Sequence, residues 1–264
     1  MRLLLTAVLV TFALSAFGGT VIETKGSGGE IGKITIDGDW ARIDDVKRDG
    51  SGYLLVDAKR QKFYMVVPDE HTIIEFSKGN KKRRQEVEAE FKAVGEGPEI
   101  AGYPTRKYEL SADGKRCGVV MVSEDVAKIG DVRHLLSVLG SFSPDAFLPE
   151  EMSHTLRQMA NPCDLAEVQL DEKLTGQVFP MKSVDADGKT RNEVTSIVEN
   201  AKVDSKLFEL PKEYTKTTVK QMMQGMRKEM ENAMDKINEM MKDMSPEERA
   251  RMEQMMKQFK SGSK

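Results

Sequence analysis

The chain contains four Asp-Gly pairs, each between segments of strand-like composition. They lie at positions 37–38, 49–50, 113–114 and 187–188. Both residues of such a pair tolerate a positive φ angle, so the pair favours a hairpin turn between antiparallel strands. Repeated hairpins restrict the chain to antiparallel architectures. Residues 20–124 are therefore predicted to form successive strands.

One segment in this region fits two kinds of element. In residues 86–94, Val87, Ala89, Phe91 and Ala93 alternate as in a strand, whereas Val87, Phe91 and Val94 also fit a helical spacing. The neighbouring hairpins favour the strand.

Helices are predicted to begin at residue 124. Apolar residues at helical spacing predict a helix over 124–142, and Pro149 at a first helical position predicts a short one over 149–160. Strands are expected again at 163–170, 176–184 and 192–200. The predicted fold is α+β, a mostly antiparallel curved sheet with inserted helices.

The residues from Thr217 onward have a different character, with no strand signal. Thr218 and Gln221 form a capping box, and Ser245-Pro246-Glu247-Glu248 forms a second. We expect helices over about 218–243 and 246–260, which would make residues 215–264 a helical hairpin tail.

The tail is rich in methionine at heptad spacing, which predicts an apolar helix face. Three interpretations remain open. The face could pack within the hairpin or on the sheet. It could offer an adaptable surface to a partner, because methionine fits irregular shapes. Thioether sulfur could also bind Cu(I). The partner surface would comprise Met223, Met226, Met230, Met240 and Met244.

The first 18 residues resemble an export signal. Arg2 precedes an apolar run over 3–17, which is short for a membrane span, and small residues follow it near Gly18. Cleavage near Gly18 is expected, with an uncleaved anchor as the alternative. No later segment is apolar enough to span a bilayer. The net charge of −3 gives no sign of a nucleic-acid partner.

Cys117 and Cys163 are the chain's 2 cysteines. In an oxidising compartment such a pair can form a disulfide, and two buried thiols are the alternative. They form no C-x-x-C motif and no zinc-ligand spacing.

Catalytic motifs are missing from the sequence. His71, His134 and His154 lie in no metal-ligand spacing, and there is no nucleophile elbow. The basic run at 81–84 is short for an anion-binding patch and is interpreted as a solvated loop, with lipid headgroups as the alternative. We therefore expect a protein that is not an enzyme and needs no cofactor.

Two segments resemble a family of exported bacterial proteins described as a domain of unknown function. Residues 100–126 begin with Ile-Ala-Gly-Tyr, and residues 207–214 read Leu-Phe-Glu-Leu-Pro-Lys-Glu-Tyr. The matching residues are Gly102, Tyr103, Tyr108, Phe208 and Pro211. The family looks like the outer-membrane lipoprotein carrier superfamily, whose half-open antiparallel barrel wraps over helices and shelters acyl chains.

The resemblance implies a half-barrel domain over residues 19–214 and a periplasmic location. It also implies a lipid, a lipoprotein or another hydrophobic molecule as ligand, held on the apolar sheet face. Alternatives are a chaperone-like or structural protein acting through the tail, and a Cu(I)-binding protein. The candidate ligand-binding residues are Ile34, Ile36, Leu55, Phe63, Met65, Val87, Phe91 and Val119.

Overall fold

The structure is a computed structural model. It describes residues 18–45, 52–77, 87–139, 160–174 and 176–242. The chain divides into two compact units, residues 1–216 and 217–264.

In these described segments, twelve strands form one open sheet, in the order β12-β6-β5-β4-β3-β2-β1-β11-β10-β9-β8-β7. From β6 to β7 along this order, every pair of neighbours is antiparallel. The strands are β1 (Gly19–Gly26), β2 (Ile31–Asp37), β3 (Trp40–Asp45), β4 (Tyr53–Asp57), β5 (Lys62–Val67), β6 (Thr72–Ser77), β7 (Ala89–Glu96), β8 (Arg106–Ala112), β9 (Lys115–Ser123), β10 (Phe179–Asp185), β11 (Thr190–Ala201) and β12 (Thr215–Thr218). The predicted α+β fold with an open, curved antiparallel sheet is confirmed.

Three of the four Asp-Gly pairs lie in turns between consecutive strands. Gly38, Gly114 and Gly188 have φ angles of 56°, 72° and 86°. They connect β2 to β3, β8 to β9 and β10 to β11. The pair at 49–50 lies outside the described residues. The strand expected near residues 86–94 is confirmed as β7.

The predicted helix over 124–142 is two helices, α1 (Glu124–Lys128) and α2 (Gly130–Leu139). Ile129 interrupts the helix because its ψ angle is 127°. Ser123 caps α1, its hydroxyl accepting a hydrogen bond from the Val126 N–H. The helix expected over 149–160 lies outside the described residues except for its last position.

The strand predicted at 163–170 is wrong, because this segment belongs to helix α3 (Pro162–Lys173). The Asn161 side chain caps the helix by accepting from the Cys163 N–H, and Pro162 occupies the first turn. Ala166 and Leu170, four residues apart, are both buried. The Asn-Pro start signal outweighs the strand-like composition.

Among the residues that the structure describes, three apolar clusters pack on the two faces of the sheet. The largest lies on one face, where Ile36 and Phe63 pack with Val126 of α1 and Val132 of α2. We call this side the helix-covered face. The opposite face carries two clusters. Around β4 to β6, Leu55 and Tyr64 pack with Phe208, and around β8 and β9, Val120 packs with Leu170 of α3.

The second unit contains helix α4 (Val219–Lys242). The predicted capping box is confirmed, since the Gln221 N–H donates to the Thr218 hydroxyl and the Thr218 N–H donates to the Gln221 side chain. The second predicted tail helix, at 246–260, lies outside the described residues.

Candidate functional site

Two rows of side chains cross the helix-covered face perpendicular to the strands. Directly paired residues share a face, so the register defines each row. The first, which we call the covered row, lies under the helices, and its four members other than Phe76 are almost fully buried. It comprises Ile36, Ala41, Val56, Phe63 and Phe76.

The second row lies two residues further along each strand and is more accessible. We call it the open row. It comprises Ile34, Ile43, Leu54, Met65 and Ile74. Met65 is 43% exposed, Ile34, Ile43 and Leu54 are half-buried, and Ile74 at the far end is buried at 8% exposure. With neighbouring strands about 4.8 Å apart, the row forms an apolar strip roughly 19 Å long.

A cavity of about 330 Å³ adjoins the β2 end of the open row. Ile34 and Ile43 form its apolar wall, and its lining residues are Thr24, Gly26, Glu30, Gly32, Lys33, Ile34, Ile43, Asp44, Arg191 and Asn192. Gly32 keeps the space open, because a Cβ atom there would lie 2.6 Å from the Thr24 hydroxyl oxygen. The site therefore combines an apolar strip with a partly polar pocket, a common composition for ligand sites.

The charged side chains near the cavity are largely paired. Arg191 donates to Asp164 at 3.0 Å and to Glu167 at 3.4 Å, both on α3. Burial raises the pKa of Glu167, and the Arg191 charge opposes this rise. Arg42 binds Asp44 at 2.7 Å. The cavity thus offers no strong unpaired charge from Arg191 or Asp44.

The eight residues predicted to bind a ligand do not form one surface. Ile34 and Met65 belong to the open row, whereas Ile36 and Phe63 are core residues beneath the helices. Val119 is half-buried in β9, away from the open row.

Leu55 and Phe91 lie on the opposite face. Val87 precedes β7, and its carbonyl accepts a hydrogen bond from Gln169 of α3. Apolar character alone cannot assign a face, because the strands differ in phase.

Sequence reasoning missed Ile43, Leu54 and Ile74, which complete the open row. It also missed the cavity residues Thr24 and Asn192. Alternation within each strand was the available signal. It could not find the row, because the row depends on the pairing register between strands.

Helix α2 is attached to the sheet by polar contacts as well as by its apolar face. The Thr20 hydroxyl donates to Asp131 at 3.4 Å, and His134 Nε2 lies 3.2 Å from Asp39 Oδ1. Burial raises the pKa of Asp131, and the charge of Asp37 raises it further. The start of α2 therefore holds a carboxylate in an unfavourable setting.

A disulfide joins Cys117 of β9 to Cys163 of α3, with their Cα atoms 5.2 Å apart. It ties α3 to the opposite face of the sheet, where Leu170 packs on Val120 and Val122.

The two histidines that the structure describes, His71 and His134, contact other groups. His71 packs its ring against Tyr214, and His134 faces Asp39, while His154 lies outside the described residues. Across the described part of the chain, no group of three or more His, Cys, Asp or Glu residues could hold a metal ion. The basic run at 81–84 is also outside the described residues.

The methionine surface predicted on the tail is only partly described. On α4, Met226 is 48% exposed and Met223 is half-buried. The side chains of Met230 and Met240 and the whole of Met244 are outside the described set.

Residues 33–214 match the model of a family described as "Domain of unknown function (DUF4412)". The chain belongs to the DUF4412 family.

The segments that resemble this family have structural roles in the DUF4412 domain. Residues 100–103 form a tight turn in which Ile100 and Tyr103 exchange backbone hydrogen bonds. The Tyr103 hydroxyl donates to Glu199 at 2.7 Å, which raises the pKa of Tyr103 to about 12. At the other end, Phe208 fills the cluster beneath β4 to β6. These residues stabilise the fold of the DUF4412 domain.

A solved structure, an uncharacterised conserved protein from Thermus thermophilus, covers 76% of this chain and 91% of its own length. The two are 10% identical, with a TM-score of 0.39. No curated protein sequence matches the chain. Among the described residues, no helix has the length and apolar content needed to cross a membrane.

Proposed function

We propose that this DUF4412 protein is a non-catalytic, exported binding protein for a lipid, a lipoprotein or another hydrophobic ligand, with its open sheet acting as a half-barrel of the lipoprotein-carrier type. The open row carries the proposal. Five apolar side chains lie in register across five strands, and Met65 is 43% exposed among them. A continuous apolar strip next to a cavity suits an extended hydrocarbon chain.

The helices support this proposal by covering only part of the sheet face. The covered row and the helices α1 and α2 fill the core, and Ile34 and Leu54 of the open row pack against it while remaining half-buried. These half-buried side chains and Met65 can gain apolar contact when a ligand covers them, at about 25 cal/mol for each Å² removed from water.

The proposed location is the periplasm, with residues 1–18 as a cleaved signal. The Cys117–Cys163 disulfide supports export, because disulfides persist mainly in oxidising compartments. Determining the N-terminal residue of the protein recovered from the periplasm tests this. Recovery of the uncleaved chain from the cytoplasm would contradict it.

Native mass spectrometry of the protein purified from its own compartment tests the binding function. We expect co-bound lipid with the wild type and its loss with Met65→Asp, which puts a charge in the open row. Val198→Asp is the matched control. Val198 is 50% exposed and pairs with Val21 on the opposite face. The proposal fails if the wild type carries no lipid, or if both variants lose it equally.

A second candidate is a chaperone-like or structural protein that contacts partners through α4. The exposure of Met226 and Met222 on this helix favours it, because unbranched methionine adapts to varied partners. Crosslinking in the native compartment should give partner adducts that disappear when both residues are changed to Asp. Lys228→Asp on the same helix is the control. Adducts that persist in the double variant would remove this candidate.

A further inference from the structure

The polar part of the cavity indicates what kind of head group the ligand carries. Building on the function proposed above, we propose that the ligand is a single-chain amphiphile with an uncharged polar head. The head binds beside Thr24 and Asn192, and the acyl chain follows the open row from Ile34 towards Ile74.

The width of the open row limits how many hydrocarbon chains it can hold. On one side of the open row lies the covered row, already filled by α1 and α2. On the other side, at β1 and β2, the paired positions are Thr24 and Gly32, which offer little apolar surface. The open row is therefore one side chain wide, which suits a single hydrocarbon chain.

The charges around the cavity disfavour a charged head. Arg191 is already bound by Asp164 and Glu167. Glu30 accepts from the Gly28 N–H at 2.9 Å. An anionic head would have to leave water without a free cationic side chain on this face among the described residues, which is costly. A cationic head would have to compete with the Gly28 N–H for the Glu30 carboxylate.

The two remaining charged lining residues project away from the site. Lys33 and Asp44 pair directly in the register, out of phase with Ile34 and Ile43. Alternation places their side chains on the opposite face, where Asp44 binds Arg42. They line the cavity through their backbone.

Thr24 and Asn192 supply neutral hydrogen-bonding groups instead. Gly26 pairs with Asn192, and Thr24 lies two residues before Gly26, so both side chains belong to the helix-covered face. Within the described part of the chain, neither side chain makes a hydrogen bond of its own. A hydroxyl and a carboxamide can both donate and accept, which suits an ester, amide or hydroxyl head.

Binding of three single-chain amphiphiles to the delipidated full chain tests this inference. They have equal chain length and carry a monoacylglycerol, a carboxylate or a trimethylammonium head. Calorimetry below their micellar concentrations should show the monoacylglycerol binding at least about tenfold more tightly than either charged probe.

A Thr24→Val variant tests where the head binds. It keeps the side-chain volume but removes the hydroxyl, so we expect about fivefold weaker binding of the monoacylglycerol, the effect of one neutral hydrogen bond. Thr195→Val is the control, since the Thr195 hydroxyl donates to the Glu23 carbonyl outside the cavity. The thermal midpoints of both variants show whether they remain folded. If Thr24→Val does not fold, Asn192→Ala takes its place.

The outcomes distinguish a failure of the uncharged-head proposal from a failure of the proposed binding function. Equal binding of all three probes, or preference for a charged one, overturns the uncharged head but leaves the apolar strip in place. If no probe binds, both proposals fail. Unchanged monoacylglycerol affinity in a folded Thr24→Val overturns the placement of the head at this residue.

Discussion

At the scale of single residues, Asp131 carries an unfavourable charge at the start of α2. Its carboxylate lies at the start of α2, partly withdrawn from water and near Asp37. Because its pKa is raised in the folded state, folding favours the protonated form. The contribution of this group to stability is full below the unfolded pKa and is lost as pH rises through the folded pKa.

Asp131→Asn should therefore stabilise the protein at pH 7. We expect a gain of at most about 1 kcal/mol, reduced by solvent screening, and a flatter dependence of stability on pH above about 4. Urea unfolding at pH 4 and pH 7 measures both. Asp125→Asn is the control, because Asp125 on α1 is exposed and pairs with Lys128. A wild-type protein that gains stability between pH 4 and pH 7 relative to Asp131→Asn would contradict the sign.

Gly118 occupies a position at which the structure accepts only glycine. Its φ angle is 139°, and a Cβ atom would lie 2.0 Å from the Val184 carbonyl oxygen in the neighbouring strand. No side chain fits there unless β9 and β10 separate.

Gly118→Ala should lower the unfolding free energy by at least about 2 kcal/mol. Gly114→Ala is the matched comparison, because Gly114 also has a positive φ but an open space around its Cβ position. It should lose only about 1 kcal/mol. Denaturant melts of the two variants measure the difference, and equal losses would show that the close approach to Val184 is unimportant.

At the scale of elements, α3 depends on contacts that are distant in the chain. It is held to the sheet by the Cys117–Cys163 disulfide, by Arg191 and by the buried Leu170. Its own sequence starts a helix through Asn161 and Pro162. Its position on the opposite face is decided by partners in β9 and β11.

Reduction of the disulfide should destabilise the folded sheet unit. The bridge spans 46 residues, which corresponds to about 4 kcal/mol in the chain-entropy model. Unfolding with and without a phosphine reductant should show this loss, with the earliest hydrogen exchange in α3. A double Cys117→Ser/Cys163→Ser variant is the control, since its stability should not respond to the reductant. An unchanged wild-type midpoint after complete reduction would contradict the prediction.

At the scale of the whole molecule, the chain consists of two compact units, and the features proposed for binding are divided between them. The sheet unit carries the open row and the cavity, and the tail unit carries the exposed Met222 and Met226. Lys216 in β12 binds Glu75 of β6 at 2.6 Å, so β12 is attached to the sheet within the first unit.

A chain ending at Thr218 should therefore still fold as the sheet unit and still bind the proposed ligand. We expect the same co-bound lipid and a thermal midpoint within a few degrees of the full chain, because the cavity and the open row lie wholly before residue 218. Native mass spectrometry and calorimetry measure both. If the shortened chain folds but carries no lipid, the tail is required for lipid binding.

The sequence predicted the elements whose signals are local. Turn chemistry at three Asp-Gly pairs predicted hairpins, and the Thr218–Gln221 box predicted the start of α4. The α+β class and the antiparallel sheet followed from these signals. The failures at residues 163–170 and at Ile129 were also local, where a capping signal was overlooked and a single ψ angle divided one apolar stripe into two helices.

The sequence by itself determined which residues are apolar, where the chain turns and which segments form strands, apart from residues 163–170, which form a helix, and the short strand β12, whose end lies where no strand was predicted. Only the tertiary structure decided which of those apolar residues share a surface. Leu55 and Phe63 were predicted to share one apolar sheet face, yet they lie on opposite faces, because shifting the phase of a strand by one residue reverses every side chain. Met65 and Ile43 meet in one row through pairings between strands, and register between strands is a property of the folded chain.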